Sequence, residues 1–259
     1  MRRIIIEEPY SDNALWSRRL ALFAAVVVGI GLLLAHAGLE PIAVLAVVGS
    51  AIIFACLAVL CAGAAAVAIW RTGRKGVGIL LTGALLAVLV LAYPIYLTAQ
   101  AIRLPVLNDV STDLDNPPAF SLSLKALAAR KGWTPPSLSD AVRQQQIKAY
   151  PDVQPILLDL DGDEAYQTVL QAVFAKHWTV VDAIPPGGRL GLGHIDAIDH
   201  GMIFGFPDDI TIRIRPLAGQ TRVDVRSVSR VGRHDFGANA RRIEDFGDEL
   251  KTLADADSK

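Results

Sequence analysis

Ile210-Thr-Ile-Arg213-Ile-Arg215, then Leu217-Ala-Gly-Gln220, then Thr221-Arg-Val-Asp224-Val-Arg226-Ser-Val228 decide how this chain folds. Ile210, Ile212 and Ile214 alternate with Thr211, Arg213 and Arg215. Beyond the Ala-Gly turn, Val223 and Val225 alternate with Arg222, Asp224 and Arg226. A period of two places alternate side chains on opposite faces of a strand, so the stretch reads as a hairpin with one apolar and one polar face. Working upstream, Met202–Phe206, Leu190–Ile198 and Trp178–Ile184 read as three further strands. The turns between them are Asp199-His-Gly201 and Pro185-Pro-Gly-Gly188. The expectation is an antiparallel five-strand meander, wet on one face and apolar on the other.

The flanks change period. Asp161-Gly-Asp-Glu164 has the form of a capping box. Tyr166, Val169, Leu170, Val173 and Phe174 follow it at i, i+3, i+4, i+7 and i+8, which is one apolar helical face ending near His177. On the C-terminal side, Asp235 is the N-cap of a helix over 237–254 with Ile243, Phe246, Leu250 and Leu253 as its buried stripe. The helices and the apolar sheet face cover each other, so residues 161–255 are expected to form an α+β domain with its helices on one side of the sheet.

Residues 103–160 read as a Pro-rich linker. Pro117-Pro118 and Trp133-Thr-Pro135-Pro136 punctuate it, and a short helix is expected from an N-cap at Ser139 to Tyr150, stopped by Pro151. A connection this long is either a functional loop or a belt packed across the surface, and polar Pro-rich loops favour the belt.

Upstream of Arg103 the composition is different. Leu20–Ala37, Ile42–Trp70 and Val77–Ala101 are apolar runs without Asp, Glu, Lys or Arg. About 20 such residues span a hydrocarbon core, so residues 20–102 read as three transmembrane helices after a cytoplasmic segment, 1–19. Arg18 and Arg19 precede the first run, and Arg71, Arg74 and Lys75 lie between the second and third. The 36–41 loop has no Lys or Arg. The positive-inside rule puts the N-terminus in the cytoplasm and everything after Ala101 outside it. The expected location is the cell (inner) membrane, with a periplasmic or extracytoplasmic C-terminal domain and the lipid bilayer as partner. Ala35-His36-Ala37 also permits reading the first run as a cleaved signal peptide, for which the run is long.

With no ionisable residue inside a span, the helices read as an anchor and packing unit. Ala51/Ala55, Ala62/Ala66 and Gly83/Ala87 are small-xxx-small pairs suited to close contact. Cys56 and Cys61 lie five apart in one run and are poorly placed to bridge. The net charge of −1 conceals 18 basic and 22 acidic residues after position 102, which argues against a nucleic-acid partner.

Phe206-Pro-Asp208-Asp209, followed by Arg226-Ser227-Val-Ser229-Arg230-Val-Gly232-Arg-His-Asp235-Phe-Gly237-Ala-Asn239-Ala-Arg241-Arg242-Ile243, resembles the domain of unknown function 1499 family. The family core reads F-x-D-D, then R-S-x-S-R-x-G-x-x-D-x-G-x-N-x-x-R-I. The resemblance covers about 105–253. Asp109-Val-Ser-Thr-Asp113 and Tyr150-Pro-Asp152 are similar to its membrane-anchored bacterial branch. Many members carry C-P-x-x-P-N-C-V-S-S where this chain has Leu107-Asn-Asp-Val-Ser111, so no role of those cysteines carries over. The resemblance implies a fold and a motif, not an activity.

Two readings of the motif stand side by side. In one, Arg213, Arg215, Arg222, Arg226, Arg230 and Arg233 pair with Asp208, Asp209, Asp224 and Asp235 in a lattice that fixes register and ties the last helix to the sheet. In the other, Arg226 and Arg230 face that helix's N-terminus and form an anion site with Ser227, Ser229, Asn239 and Arg242. The ligand would be an anionic small molecule, a lipid head group or a membrane protein partner.

Enzymatic signals are weak. Ser229, His234 and Asp235 are adjacent in sequence rather than arranged as a triad. His177, His194, His200 and His234 lack metal spacing, and Gly187–Gly193 leads into a strand, not a helix. No cofactor, metal or catalytic residue is therefore expected. A non-enzymatic binding or structural module is the favoured function, and the alternative is a hydrolase or transferase acting on an anionic substrate.

Overall fold

A computed structural model describes residues 9–187 and 191–257. It divides into two compact units, Met1–Gln100 and Ala101–Lys259. The first contains α1 (Asp12–His36), α2 (Pro41–Thr72) and most of α3 (Val77–Arg103), all three long and apolar enough to cross a membrane. Pro41 opens α2 where its missing N–H costs nothing, and Gly73 closes it with φ +68. Small residues set the packing: a Cβ on Gly31 would lie 2.9 Å from Val48, and one on Gly83 would lie 2.6 Å from Ser17. Ala51, Ala55 and Ala62 are buried, but Ala66 is exposed and its neighbour Ala65 packs instead. Arg2 and Arg3 of the expected cytoplasmic segment lie outside the described residues.

The second unit is α+β, as expected, but its sheet has six strands. They are β1 (Asp109–Ser111), β2 (Ile156–Leu158), β3 (Thr179–Ile184), β4 (Gly193–His200), β5 (Pro207–Leu217) and β6 (Gln220–Ser229). The order is β1-β6-β5-β4-β3, with β2 beside β1 along the same edge of β6, and every pairing is antiparallel. Three members of the expected meander survive nearly intact, and a fourth, β4, is displaced toward its C-terminus. Its expected start at Leu190, and Gly188 of the turn before it, lie outside the described residues.

Met202–Phe206 is not a strand. Gly201 N–H donates to Phe206 O (2.9 Å), Gly205 N–H donates to Gly201 O (2.8 Å), and Gly205 takes φ +63, so the apolar run curls into the β4–β5 turn. The two unexpected strands come from residues 103–160, which belong to the sheet.

Helices α6 (Gly162–Ala175) and α7 (Ala238–Asp257) pack on one sheet face. Asp161 caps α6 by accepting from the N–H groups of Asp163 and Glu164. Val169, Val173, Ile195, Ile210, Ile212, Ile214, Val223, Val225, Phe246 and Leu250 make the core, and Trp178 stacks on Phe246 at 5.1 Å. The other sheet face was expected to be wet. It is covered by residues 112–150, with the short helices α4 (Leu124–Ala129) and α5 (Asp140–Ala149). Thr211, Asp224 and Arg226 are buried beneath this cover. Gln146 of α5 completes it: its amide donates to Ser111 O (2.7 Å) and accepts from Ser111 N–H (3.1 Å), so a side chain replaces the next strand.

Candidate functional site

Alternation in β6 divides the motif between the two faces. Ser227 and Ser229 share the face of Val223 and Val225, toward α7; Asp224 and Arg226 point under the cover. Arg226 and Arg230 therefore do not meet the N-terminus of α7. The register sets their partners instead. Asp109 lies opposite Val228, and its carboxylate receives Arg226 Nε at 3.0 Å and Nη2 at 2.7 Å. Arg226 also donates to Pro136 O (2.8 Å), and its guanidinium sits 5.5 Å from the centre of the Phe120 ring. Burial pushes the Asp109 carboxyl above the ordinary carboxylate value, opposed by the hydrogen bond and charge of Arg226. Arg230 grips Asp209 with two bonds of 2.7 Å.

Further along the covered face, Asp224 is fully buried and accepts from Arg213 Nε (3.0 Å) and Nη2 (2.7 Å) and from Arg222 Nε (2.8 Å). Asp113, from the cover, bridges the same two arginines at 3.0 and 2.8 Å. Arg215 stands 4.0 Å from Asp224. A second set lies beneath α4. Asp196, buried, meets Arg130 Nη1 at 2.9 Å, Ser121 N–H at 2.8 Å and His194 at 2.9 Å. Asp182 accepts from the hydroxyls of Ser121 and Ser123. The Ser121 bond, followed by the Ser123 bond and His194, holds the Asp182 carboxyl below its ordinary value against desolvation. Asp196 faces desolvation as its largest influence, yet His194, Thr211 and the Ser121 N–H together bring it below normal as well.

On the other face the motif ties α7 to the sheet. Arg242 binds Asp199 at 2.8 Å and Asp208 at 2.5 Å, and donates to Ser227 Oγ and Asn239 Oδ1. Asn239 is fully buried. It accepts from Ser227 (2.7 Å) and donates to Ser229 Oγ (3.0 Å) and Asn108 O (3.1 Å). The Asp208 carboxyl is raised by burial, against Arg242 and Ser229. Asp235 occupies the start of α7, accepting from the N–H groups of Gly237 and Asn239 at 2.9 Å each. Phe236 and Gly237 turn into the helix with φ +55 and +75; a Cβ on Gly237 would sit 3.0 Å from Leu104 and 3.3 Å from Tyr150 Oη.

All nine candidate residues, Asp208, Asp209, Arg226, Ser227, Ser229, Arg230, Asp235, Asn239 and Arg242, therefore lie around one end of the sheet, distributed over two layers. Arg226, Arg230 and Arg242 each have a carboxylate partner. Sequence reading missed Asp109, Asp113, Arg130 and Asp196, which complete the network; Asp109 is 117 positions from Arg226, and only the strand register brings them together.

Residues 109–250 match the family model described as a protein of unknown function (DUF1499). The chain belongs to the DUF1499 family. The matched DUF1499 span starts at Asp109, the partner of Arg226, so β1 and the cover lie within the family's domain. Comparison with curated proteins finds no match.

Proposed function

We propose that this DUF1499 protein is a multi-pass protein of the bacterial cell (inner) membrane, with a cytoplasmic N-terminus and a periplasmic, non-enzymatic C-terminal module. In this reading it belongs to the membrane-anchored branch. The motif is the internal lock of that module, and ligand or partner contact is left to its exposed surface. The observation that carries the reading is the commitment of Arg226, Arg230 and Arg242 to Asp109, Asp209 and Asp199/Asp208. Carboxylates already occupy the guanidinium edges that an anion would take, and the three side chains are at most 14% exposed. The asymmetry of Lys and Arg between the loops supports the orientation. A hydrolase or transferase acting on an anionic substrate would require Asp208 and Asp209 to exchange Arg242 and Arg230 for that substrate, and no observation favours it.

Orientation is tested with single cysteines in a chain whose Cys56 and Cys61 are replaced by Ala. Leu217→Cys should react with a membrane-impermeant maleimide in intact cells, and Thr72→Cys only after permeabilisation. The reverse pattern refutes the orientation. The lock is tested by Arg230→Ala, which should lower the domain's unfolding midpoint; an unchanged midpoint with altered ligand binding would restore the anion site.

A further inference from the structure

The β4–β5 turn, Gly201–Phe206, presents an apolar tip that the fold itself does not use. Met202 is 96% exposed and Ile203 37%, and behind them Phe204 and Phe206 stack at 5.5 Å. The hydrogen bonds from Gly201 and Gly205 close the turn internally.

The register identifies the end of the sheet on which the tip stands. His200 pairs with Pro207, and Asp208 with Ser229. Ser229 N–H donates to Asn108 O, and Asp235 N–H donates to Leu107 O. The turn therefore shares its end of the domain with the segment by which the chain arrives from α3. Only Leu104–Asn108 separate the last residue of α3 from β1, a reach of about 20 Å fully extended. Laterally, two strand spacings, about 10 Å, separate β1 from the turn. The connection therefore keeps this end of the domain within about 20 Å of the last residue of α3.

Unpaired cations stand at this end. Arg233 is exposed and has no salt-bridge partner among the described residues. Arg103 and Lys148 line a shallow depression with Pro105, Val106, Gln145 and Ala149, and Val106 is 55% exposed. Four carboxylates here are engaged, Asp199 and Asp208 by Arg242, Asp209 by Arg230, and Asp235 by the start of α7, while Glu244 and Asp152 stand exposed on the flank by Tyr150. Apolar side chains at a tip, with cations on the same end of the domain, match an interface of acyl chains beneath anionic head groups.

We infer that the β4–β5 turn is a membrane-docking element, inserting Met202 and Ile203 at the surface of an anionic bilayer while Arg233, Lys148 and Arg103 meet its head groups. The inference rests on the reading of α3 as a membrane span and adds a second contact between the domain and the lipid.

The test uses the full chain with Cys56 and Cys61 replaced by Ala, in vesicles of phosphatidylcholine and phosphatidylglycerol. An environment-sensitive fluorophore is placed on Met202→Cys, on Leu217→Cys at the opposite end of the sheet, and on Leu89→Cys within α3. Emission from Met202→Cys and Leu89→Cys should be blue-shifted and lost when the lipids carry brominated acyl chains. Leu217→Cys should keep its aqueous emission. A Met202→Cys signal as red and as bright as that of Leu217→Cys, with Leu89→Cys quenched, overturns docking and leaves the span intact. A blue-shifted Met202→Cys signal that brominated lipid does not touch assigns the tip to a protein surface and overturns it too. An unquenched Leu89→Cys overturns the span and, with it, the docking.

Discussion

Replacing Arg226 by Ala separates a structural arginine from a ligand-binding one. Arg226 is 6% exposed, and its side chain makes two bonds to Asp109 and one to Pro136 O, besides lying against Phe120. Its removal leaves a carboxylate in a buried site without a cation. Breaking a buried pair from one side costs roughly 3–5 kcal/mol. For a domain of this size that lowers the melting temperature by roughly 6–20 °C. The effect also depends on pH. The folded Asp109 carboxyl already sits above its unfolded value, so between the two values the folded state holds a proton that the unfolded state has lost, and this group's contribution to stability falls as pH rises. Without Arg226 the folded value rises further. The deficit of Arg226→Ala should therefore be largest near neutrality and shrink on acidification. Pulse proteolysis of the full chain across a urea series, at several pH values, measures this directly. Arg233→Ala, an exposed change, serves as control and should stay within about 0.5 kcal/mol of the parent. The double replacement Asp109→Leu with Arg226→Met should cost less than Arg226→Ala alone, because no charge is left unpaired. An Arg226→Ala chain within about 1 kcal/mol of the parent would refute the lock, since such a value belongs to a surface side chain.

Three further outcomes follow from the same geometry. Asn239→Ala strips partners from Ser227, Ser229 and Asn108 O and should destabilise by about 1–3 kcal/mol, measured by urea unfolding. Gln146→Ala uncovers the outer edge of β1, so hydrogen exchange at the Ser111 amide should accelerate while that at Ile212 holds. The Asp182 and Asp196 carboxyls sit below their unfolded values, so the stability they add is present near neutrality and lost as pH falls through the folded values. Asp182→Asn should flatten the acid limb of a stability-against-pH curve, and an unaltered limb would count against this assignment.

The parts of the fold legible in the sequence were those with a period. Ile210/Ile212/Ile214 against Val223/Val225 marked the central hairpin, and the spacing from Tyr166 and from Ile243 marked the two long helices. β1 and β2 have three residues each, too short to show alternation. The residues of β1 on the polar face, Asp109 and Ser111, are buried under polar and aromatic groups, so hydropathy points the wrong way there. Met202–Phe206 is apolar enough for a strand, but Gly201, Gly205 and their two hydrogen bonds make it a turn. Candidate site residues were recognisable by resemblance. Their partners were not, because a pairing such as Asp109 with Arg226 depends on register between segments more than a hundred residues apart. The expectation of a wet sheet face failed for the same reason: the segment that covers it looks like a linker until β1 anchors it.

The position of β1 has a mechanical consequence. Asp109 is the first residue of the sheet on the path leading from α3, and it is also the partner of Arg226. A pull arriving along Leu104–Asn108 meets buried Leu107 and the bonds from Asp235 and Ser229 to Leu107 O and Asn108 O, and then a three-residue strand that gives the apolar core only Val110. Tension would first shear β1 from β6 and part Asp109 from Arg226, while β3–β6 and their two helices stay folded. The domain is thus built to yield at its stem before it yields in its body.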